Sequence, residues 1–312
     1  MSHNSPDQEE LIKTLPEISY GKPKFKHRLE YLPFIIFSTF LEVLPLSLSR
    51  FFVHRLADFA RLFLKKRNEL SIEMMGKTLK SSPKEASDTL KKSYYNFADN
   101  WLSLCKNRPN GAQEKNINFH GFDFLKKAHK EGRGVVISTA HLGHWEYVPR
   151  LLYQAKIPVA IMATVQHNPL CDKYFNERRS LGGYHRILHN RLGVRHSLSF
   201  LKKGGILLIL ADIDIGPKGL RIPFMGIPAS TPKWPAELSL RTNSYLVVGH
   251  NHKADHSHEI TLNEPIDPHL LEGNKDDKVH ELSHQMNNQL SEIIFQHPEQ
   301  WFWLQRRWKS KV

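Results

Sequence analysis

The sequence predicts an α/β fold: a mixed, largely parallel sheet flanked by helices, preceded by a helical N-terminal segment. Three observations predict it. After Asn116, short apolar runs alternate with helical patterns, as strands linked by crossover helices do. Two of those runs, GVVIST at Gly134–Thr139 and ILLILA after Gly204-Gly205, carry no charge and read as strands buried inside a sheet. Before Asn116 the chain reads as helix, with no strand pattern.

Composition sets the outer bounds. The chain has 312 residues, 40% of them apolar, which is ample for a core in one large domain or two small ones. The 2 cysteines, Cys105 and Cys171, cannot build a disulfide framework or a cysteine zinc site, and fit a reducing compartment. Met1 to Lys26 is polar, with four acidic residues, and lacks the pattern of a cleaved signal peptide. The formal charge of +13 attracts phosphate in nucleic acid, anionic lipid or a phosphorylated substrate, without choosing among them.

Residues 1–26 read as a disordered tail, 27–110 as a helical membrane-associated region, and 111–312 as the α/β domain, continuous with the helices before it. Tyr31–Val53 is just long enough for a span, which takes about 20 apolar residues. Glu42 near its centre and basic residues at both ends favour a helix lying in the interface, or dipping in, over a clean crossing. The alternative is a buried core helix. Ser82-Pro83-Lys84-Glu85 then opens a helix to about Lys106, with Ser82 as cap, Pro83 at the first position and Glu85 completing a capping box.

In the α/β part, Asn116–Phe119 reads as a short strand, Phe122–Glu131 as a helix and Gly134–Thr139 as a strand. A helix spans about Gly143–Gln154, a strand Pro158–Thr164, and a helix follows to Leu181. A helix closes over Ser197–Lys203 before ILLILA. Ile222–Phe224 reads as a short strand and Pro235–Arg241 as a helix. Tyr245–His250 and His258–Leu262 read as strands, and Val279–Gln296 as the last long helix. There is no internal repeat.

The candidate site lies in Ser138-Thr139-Ala140-His141-Leu142-Gly143-His144-Trp145-Glu146. It leaves a buried strand and opens a helix, and ligands of open α/β sheets sit at that end of a strand. On one continuous helix His141 and Glu146 would point about 140° apart. They can meet only if His141 sits in the loop and Glu146 on the first turn. Glu146 could then hold one ring nitrogen of His141 and leave the other as a general base. That is a base with its orienter and no enzyme nucleophile, so the nucleophile would be a substrate hydroxyl. A surface histidine beside a helix-start carboxylate is the bland alternative. A zinc site from His141, His144 and Glu146 is a third, although the spacing is not H-E-x-x-H.

Beyond this stretch the chain resembles the lipid A biosynthesis late acyltransferases, within the glycerolipid and lysophospholipid acyltransferase superfamily, over nearly its whole length. His141 to Glu146 matches the hallmark H-x4-D/E. Asn168-Pro169-Leu170 matches an N-P-L block, with Arg178 and Arg179 at the basic position downstream. Ala211 to Pro217 and Ile222 to Gly226 match the D-x-D/Q and P-F-F-G region, and Thr231 the A-x-T that follows. Pro298 to Arg307 matches the terminal P-E-Q-x-x-W-L-x-R-R. His144 replaces the family's usual Asn, and Gln305 its usual His.

The resemblance implies a reaction. A fatty acyl chain passes from an acyl carrier protein thioester to a hydroxyl of a lipid A precursor, with His141 and Glu146 catalytic and no cofactor or metal. It implies Arg178, Arg179, Asp212, Arg221 and Thr231, with Lys218, as substrate-binding candidates, since a guanidinium fork suits phosphate. Asp212 would orient Arg179 or bind a sugar hydroxyl; Asp214 would do the same or cap a turn. The expected partners are acyl carrier protein, a lipid A precursor or related glycolipid, and an anionic membrane surface. Nucleic acid is not expected. The expected location is the cytoplasmic face of the inner membrane.

Two features stand outside that scheme. The segment Gly249-His250-Asn251-His252 to Asp255-His256-Ser257-His258 suits a turn tip better than a metal site, because no cysteine or tight ligand spacing accompanies it. Trp303 reads as core, with Arg306, Arg307 and Lys309 as a basic membrane-facing rim. The rival functions are transfer to a lysophospholipid or other glycolipid, such as a phosphoinositol mannoside, and a non-catalytic basic membrane-binding protein.

Overall fold

The computed structural model describes residues 8–106, 117–254 and 257–310. Five helices come first: α1 (Gln8–Lys13), α2 (Phe25–Val43), α3 (Leu46–Phe63), α4 (Lys65–Leu79) and α5 (Pro83–Cys105). The α/β part then runs β1 (Ile117–His120), α6 (Phe122–Lys130), β2 (Val135–Thr139), α7 (Tyr147–Gln154), β3 (Val159–Ala163), α8 (Pro169–Leu181), β4 (His185–Leu188), α9 (Arg191–Lys202) and β5 (Ile206–Leu210). It closes with β6 (Leu220–Phe224), β7 (Ile227–Thr231), α10 (Trp234–Thr242), β8 (Tyr245–Lys253), β9 (His258–Leu262) and α11 (Lys275–Gln296).

Seven strands form one sheet in the order β1-β9-β8-β2-β5-β3-β4. All neighbours are parallel except β8 and β9, so the sheet is mixed and largely parallel as predicted. β6 and β7 make a separate antiparallel hairpin. Strand side chains alternate between faces. Val135, Ile137, Leu208 and Val247 join one apolar cluster with Leu125 of α6 and Leu152 of α7. Val136, Leu207, Ile209 and Val248 join the other, with α9, α10, α11 and parts of α4 and α5. A sheet covered on both faces needs the uninterrupted apolar runs seen at β2 and β5.

The N-terminal region departs from expectation. Tyr31–Val53 is not one helix: the chain breaks at Leu44-Pro45, and α3 starts after Pro45. Proline cannot donate within a helix and pushes the residue before it to extended backbone, as seen at Leu44. Among the described residues no helix is long and apolar enough to cross a membrane. The expected disordered tail contains α1 from Gln8 onward, with Leu11 buried in the core; residues 1–7 lie outside the described set. Asn116, expected to open the first strand, is also outside it.

α5 is the post around which α3 and α4 pack. It begins as predicted, with Ser82 capping and Glu85 completing the box. Asp99 of α5 takes Arg50 and His54 of α3 at 3.3 and 3.0 Å, and Tyr94 donates to Asn68 of α4 at 2.7 Å. The N-P-L block docks α2: Asn168 caps α8 and donates to the carbonyl of His27 at 2.8 Å. Four elements had no counterpart in the sequence reading: α1, α4, β4 and β7.

Candidate active site

Strand register builds the site. β2 and β5 lie side by side with Thr139 opposite Leu210. Two residues further on, His141 and Asp212 face each other across the carboxyl ends of adjacent strands. Asp212 accepts the backbone N–H of His141 at 2.8 Å, and its other oxygen lies 2.8 Å from His141 Nδ1. Trp301 Nε1 and Gln305 Nε2 donate to the same carboxylate at 2.8 and 2.6 Å. With Nδ1–H committed to Asp212, Nε2 is the nitrogen left to act as a base.

The electrostatics follow from burial and pairing. Burial alone would raise the Asp212 carboxyl, but His141 and the donors Trp301 and Gln305 outweigh it and hold it at about 2. Burial pulls the His141 imidazolium down, yet the charge and hydrogen bond of Asp212, backed by Glu146 and Gln305, leave its pKa raised.

The loop is pinned from two sides. Gly143 has φ +58°, and a Cβ there would sit 1.9 Å from the carbonyl oxygen of Asn251, so only glycine fits against β8. His144 N donates to Asn251 Oδ1 at 3.1 Å. From the other side the C-terminal segment pairs like a strand: Gly143 N donates to the Gln300 carbonyl at 3.0 Å, and Phe302 N to that of His141 at 2.8 Å.

Glu146 does not hold His141. It stands at the N-cap position of α7 without bonding the helix's own N–H groups, and accepts Arg179 Nε and Nη2 at 3.2 and 2.6 Å and the Tyr184 hydroxyl at 2.8 Å. Burial would raise the Glu146 carboxyl, but Arg179 and then Tyr184 outweigh it and keep it low. The expected orienter is therefore replaced by Asp212, which does not touch Arg179 as expected. The reason is geometric. Glu146 lies a full loop beyond the strand end, whereas Asp212 is at the same height as His141 on the next strand.

His141, Trp145, Glu146 and Arg179 edge a cavity of 360 Å³. Its walls include Phe97, Trp101 and Leu104 of α5, Phe175 of α8, Met162 of β3, Ile209 of β5 and Trp234 of α10. The His141 side chain is 23% exposed, so the ring meets that space although its carboxylate partner is buried. The arrangement offers one positioned base at the wall of a mostly apolar chamber.

The other expected substrate contacts are placed elsewhere. Arg178 is paired with Glu42 and lies over the Tyr174 ring, tying α8 to α2. Arg179 lines the cavity but is clamped on Glu146. Arg221 and Lys218 are exposed on and before β6, away from the cavity lining. Thr231 is fully buried and accepts from Asn287 and Arg307 at 2.9 and 2.7 Å, a core role. Asp214 caps the turn at Gly216 and binds Ser310. Trp303 is core as expected, whereas Arg307 is buried rather than part of a rim. His141, His144 and Glu146 do not converge as metal ligands: His144 packs on Tyr147 and His258 instead. The unforeseen contributors are Tyr184, Trp301, Gln305 and Asn251. Equal offsets beyond two parallel strands, Thr139 to His141 and Leu210 to Asp212, were the one sequence signal for the His141–Asp212 pair.

On this α/β scaffold the carboxyl ends of β2 and β5 thus set a histidine ring, backed by a buried carboxylate, at the wall of an apolar cavity. The family profile described as bacterial lipid A biosynthesis acyltransferase matches residues 19–310, and the chain belongs to that family. It is an acyltransferase. Over 277 residues it is 27% identical to the lipid A biosynthesis palmitoleoyltransferase of Escherichia coli (strain K12), a match covering 86% of this chain and 87% of that protein. The lipid A biosynthesis acyltransferase of Shigella flexneri matches to the same extent, 27% over 277 residues. The phosphatidylinositol mannoside acyltransferase of Mycobacterium tuberculosis (strain ATCC 25618 / H37Rv) is 23% identical over 197 residues, which is 62% of this chain and 60% of that protein.

Proposed function

We propose that the protein moves a fatty acyl chain from an acyl carrier protein thioester to a hydroxyl of a lipid A precursor, working at the cytoplasmic face of the inner membrane. The observation that carries the reading is the His141 ring, held at Nδ1 by buried Asp212 and facing an apolar cavity. His141 Nε2 takes the acceptor hydroxyl proton as the alkoxide oxygen bonds to the thioester carbonyl carbon. The tetrahedral adduct collapses, the C–S bond breaks, and the thiolate leaves with the proton from the imidazolium. Asp212 stabilises that imidazolium without being protonated. Glu146 positions rather than reacts: with Arg179 and Tyr184 it fixes the start of α7, and its charge favours the imidazolium.

The membrane role rests on α2 and α3. Phe25, Leu29, Leu32, Ile36, Phe40 and Val43 form one exposed stripe along α2, and Leu48, Phe52, Leu56, Phe59 and Phe63 another along α3. Exposed apolar patches of this extent mark interaction surfaces. Exposed Lys22, Lys24, Lys26 and Arg28 precede and open α2, and Lys65, Lys66 and Arg67 follow α3, a basic rim suited to anionic lipid.

The test is transfer of labelled acyl chain by purified protein. Acceptor hydroxyls on a lipid A precursor should be acylated, and His141→Ala should abolish the product. Transfer to a lysophospholipid or a phosphatidylinositol mannoside, with none to any lipid A precursor, would replace the acceptor. Full activity in His141→Ala would overturn the mechanism.

A further inference from the structure

We propose that His250, His252 and His297 form a binding site for one borderline transition-metal ion such as Zn²⁺, which staples β8 to the C-terminal segment. One possible ligand atom from each of the three rings lies within 4.8 Å of the others. His250 and His252 sit at alternate positions of β8 and so share one face of the strand. His297 is the residue that ends α11. The rings lie close together, with centroids 3.9 Å apart for His252 and His297, 5.4 Å for His250 and His252, and 6.2 Å for His250 and His297. In sequence His297 is remote from the hairpin, so a histidine pair on a strand gave no hint of a third ligand. Asp255 and His256 of that hairpin lie outside the described residues.

The donor chemistry fits. Three imidazoles with an open fourth position suit Zn²⁺, Co²⁺ or Ni²⁺ far better than Mg²⁺ or Ca²⁺. At metal–nitrogen distances of about 2.0–2.1 Å the three donors must draw closer together, and the stacked His252 and His297 rings must rotate apart so that their in-plane lone pairs converge on the ion. Among the described residues, Nδ1 of His250 and of His252 are buried with no hydrogen-bond partner, and a buried polar atom of that kind calls for an explanation. Glu299 acts on both His252 and His297, so a carboxylate stands near to balance the cation.

None of the three histidines lines the catalytic cavity. The staple would nonetheless bear on it. His297 heads the segment that returns Trp301 and Gln305 to Asp212, and Gln300 of that segment already bonds both backbone groups of Lys253 at 2.8 and 2.9 Å. An ion would lock the same two elements one step further back.

The experiment titrates chelator-treated full-length protein with Co²⁺ alone, followed by its visible d–d bands, and with Zn²⁺ alone by calorimetry. One ion should bind, His252→Ala or His297→Ala should weaken it by about tenfold or more, and His280→Ala/His284→Ala should leave it unchanged. That last pair, four apart on the outer side of α11, is the competing exposed site. Zn²⁺ at about a hundred times its Kd should also raise Tm by roughly 4 °C in the native protein, and not in His252→Ala/His297→Ala. Circular dichroism of the variants verifies that they fold. Equal binding by native protein and the His252→Ala/His297→Ala variant, no binding at all, or loss of binding in His280→Ala/His284→Ala would each overturn the proposal.

Discussion

The helices α2 and α3 and the strands β2, β5 and β3 are both rich in large apolar side chains, and they place them oppositely. Every residue of β2 is buried, and just beyond its end the backbone groups of His141 and Gly143 are taken by Asp212 and the C-terminal segment. Along α2 and α3 the large side chains face outward, while the buried positions are few and often small or polar, such as Ser38, Ser49 and Ala57. One region is solved for water on its outside. The other leaves its apolar stripe exposed beside a basic rim, the face that the proposed function turns toward anionic lipid. The cavity has strand ends on one side and, on the other, walls from α5 and α8, the helices against which α2 and α3 pack.

If the regions divide the labour this way, chemistry and membrane binding are separable. The largest effect should come from His141→Ala, which lowers turnover by about 10³-fold or more while vesicle binding is unchanged. Asp212→Asn should cost nearly as much, since it removes the anion that fixes the ring and stabilises the imidazolium. The two variants differ in pH behaviour. The base must be neutral, so turnover in the native protein should rise with pH through the raised His141 pKa. Asp212→Asn removes the main cause of that rise, and its residual activity should reach a plateau at lower pH. Stability runs the other way. The His141 contribution is present in full below its ordinary value of 6.5 and fades as pH climbs through the raised one. An unmoved pH profile in Asp212→Asn would separate Asp212 from the base.

A smaller effect, on stability, should follow from Arg179→Ala. Glu146 is then left buried without its cation, which costs about 3–5 kcal/mol. Urea denaturation measures it. Tyr184→Phe removes one hydrogen bond to the same charged acceptor and should cost about 1.5–3 kcal/mol. If Arg179→Ala is as stable as the native protein, Glu146 is not positioned by this clamp.

How much of this was legible follows from what each feature depends on. The strands β2, β5 and β9 announce themselves because a strand buried in a sheet must be apolar end to end, or alternate cleanly. The Ser82–Glu85 box is a local motif with local causes, and it stands where expected. His141 was legible for the same reason: it ends a buried strand. Its partner was not, because pairing at a sheet end depends on strand order. Order β2-β5-β3 puts Asp212 beside His141, and nothing near Glu146 in sequence says so. Thr231, expected to bind substrate, and Arg307, expected on a basic membrane-facing rim, are buried on one another, because a polar motif does not state which way it points. The break at Pro45 was visible as a proline, yet the apolar run around it masked the two-helix arrangement.

The comparison can be sharpened with one substitution made twice. Leu208 on β5 is 3% exposed and Leu56 on α3 is 49% exposed. Leu208→Ala removes packed atoms from the sheet core and should lose about 2–5 kcal/mol of stability. Leu56→Ala should change stability by no more than about 0.5 kcal/mol, as exposed positions do. On vesicles the ranking inverts. Leu56→Ala/Phe59→Ala removes two side chains from the proposed membrane face, each worth roughly 1 kcal/mol when only partly buried, so partitioning onto anionic vesicles should fall about tenfold or more. Turnover of a detergent-dispersed acceptor should stay near native, because neither residue lines the cavity. A double variant that floats with vesicles as well as the native protein would mean that the stripe on α3 faces something other than lipid. A loss of stability equal to that of Leu208→Ala would mean that it is core after all.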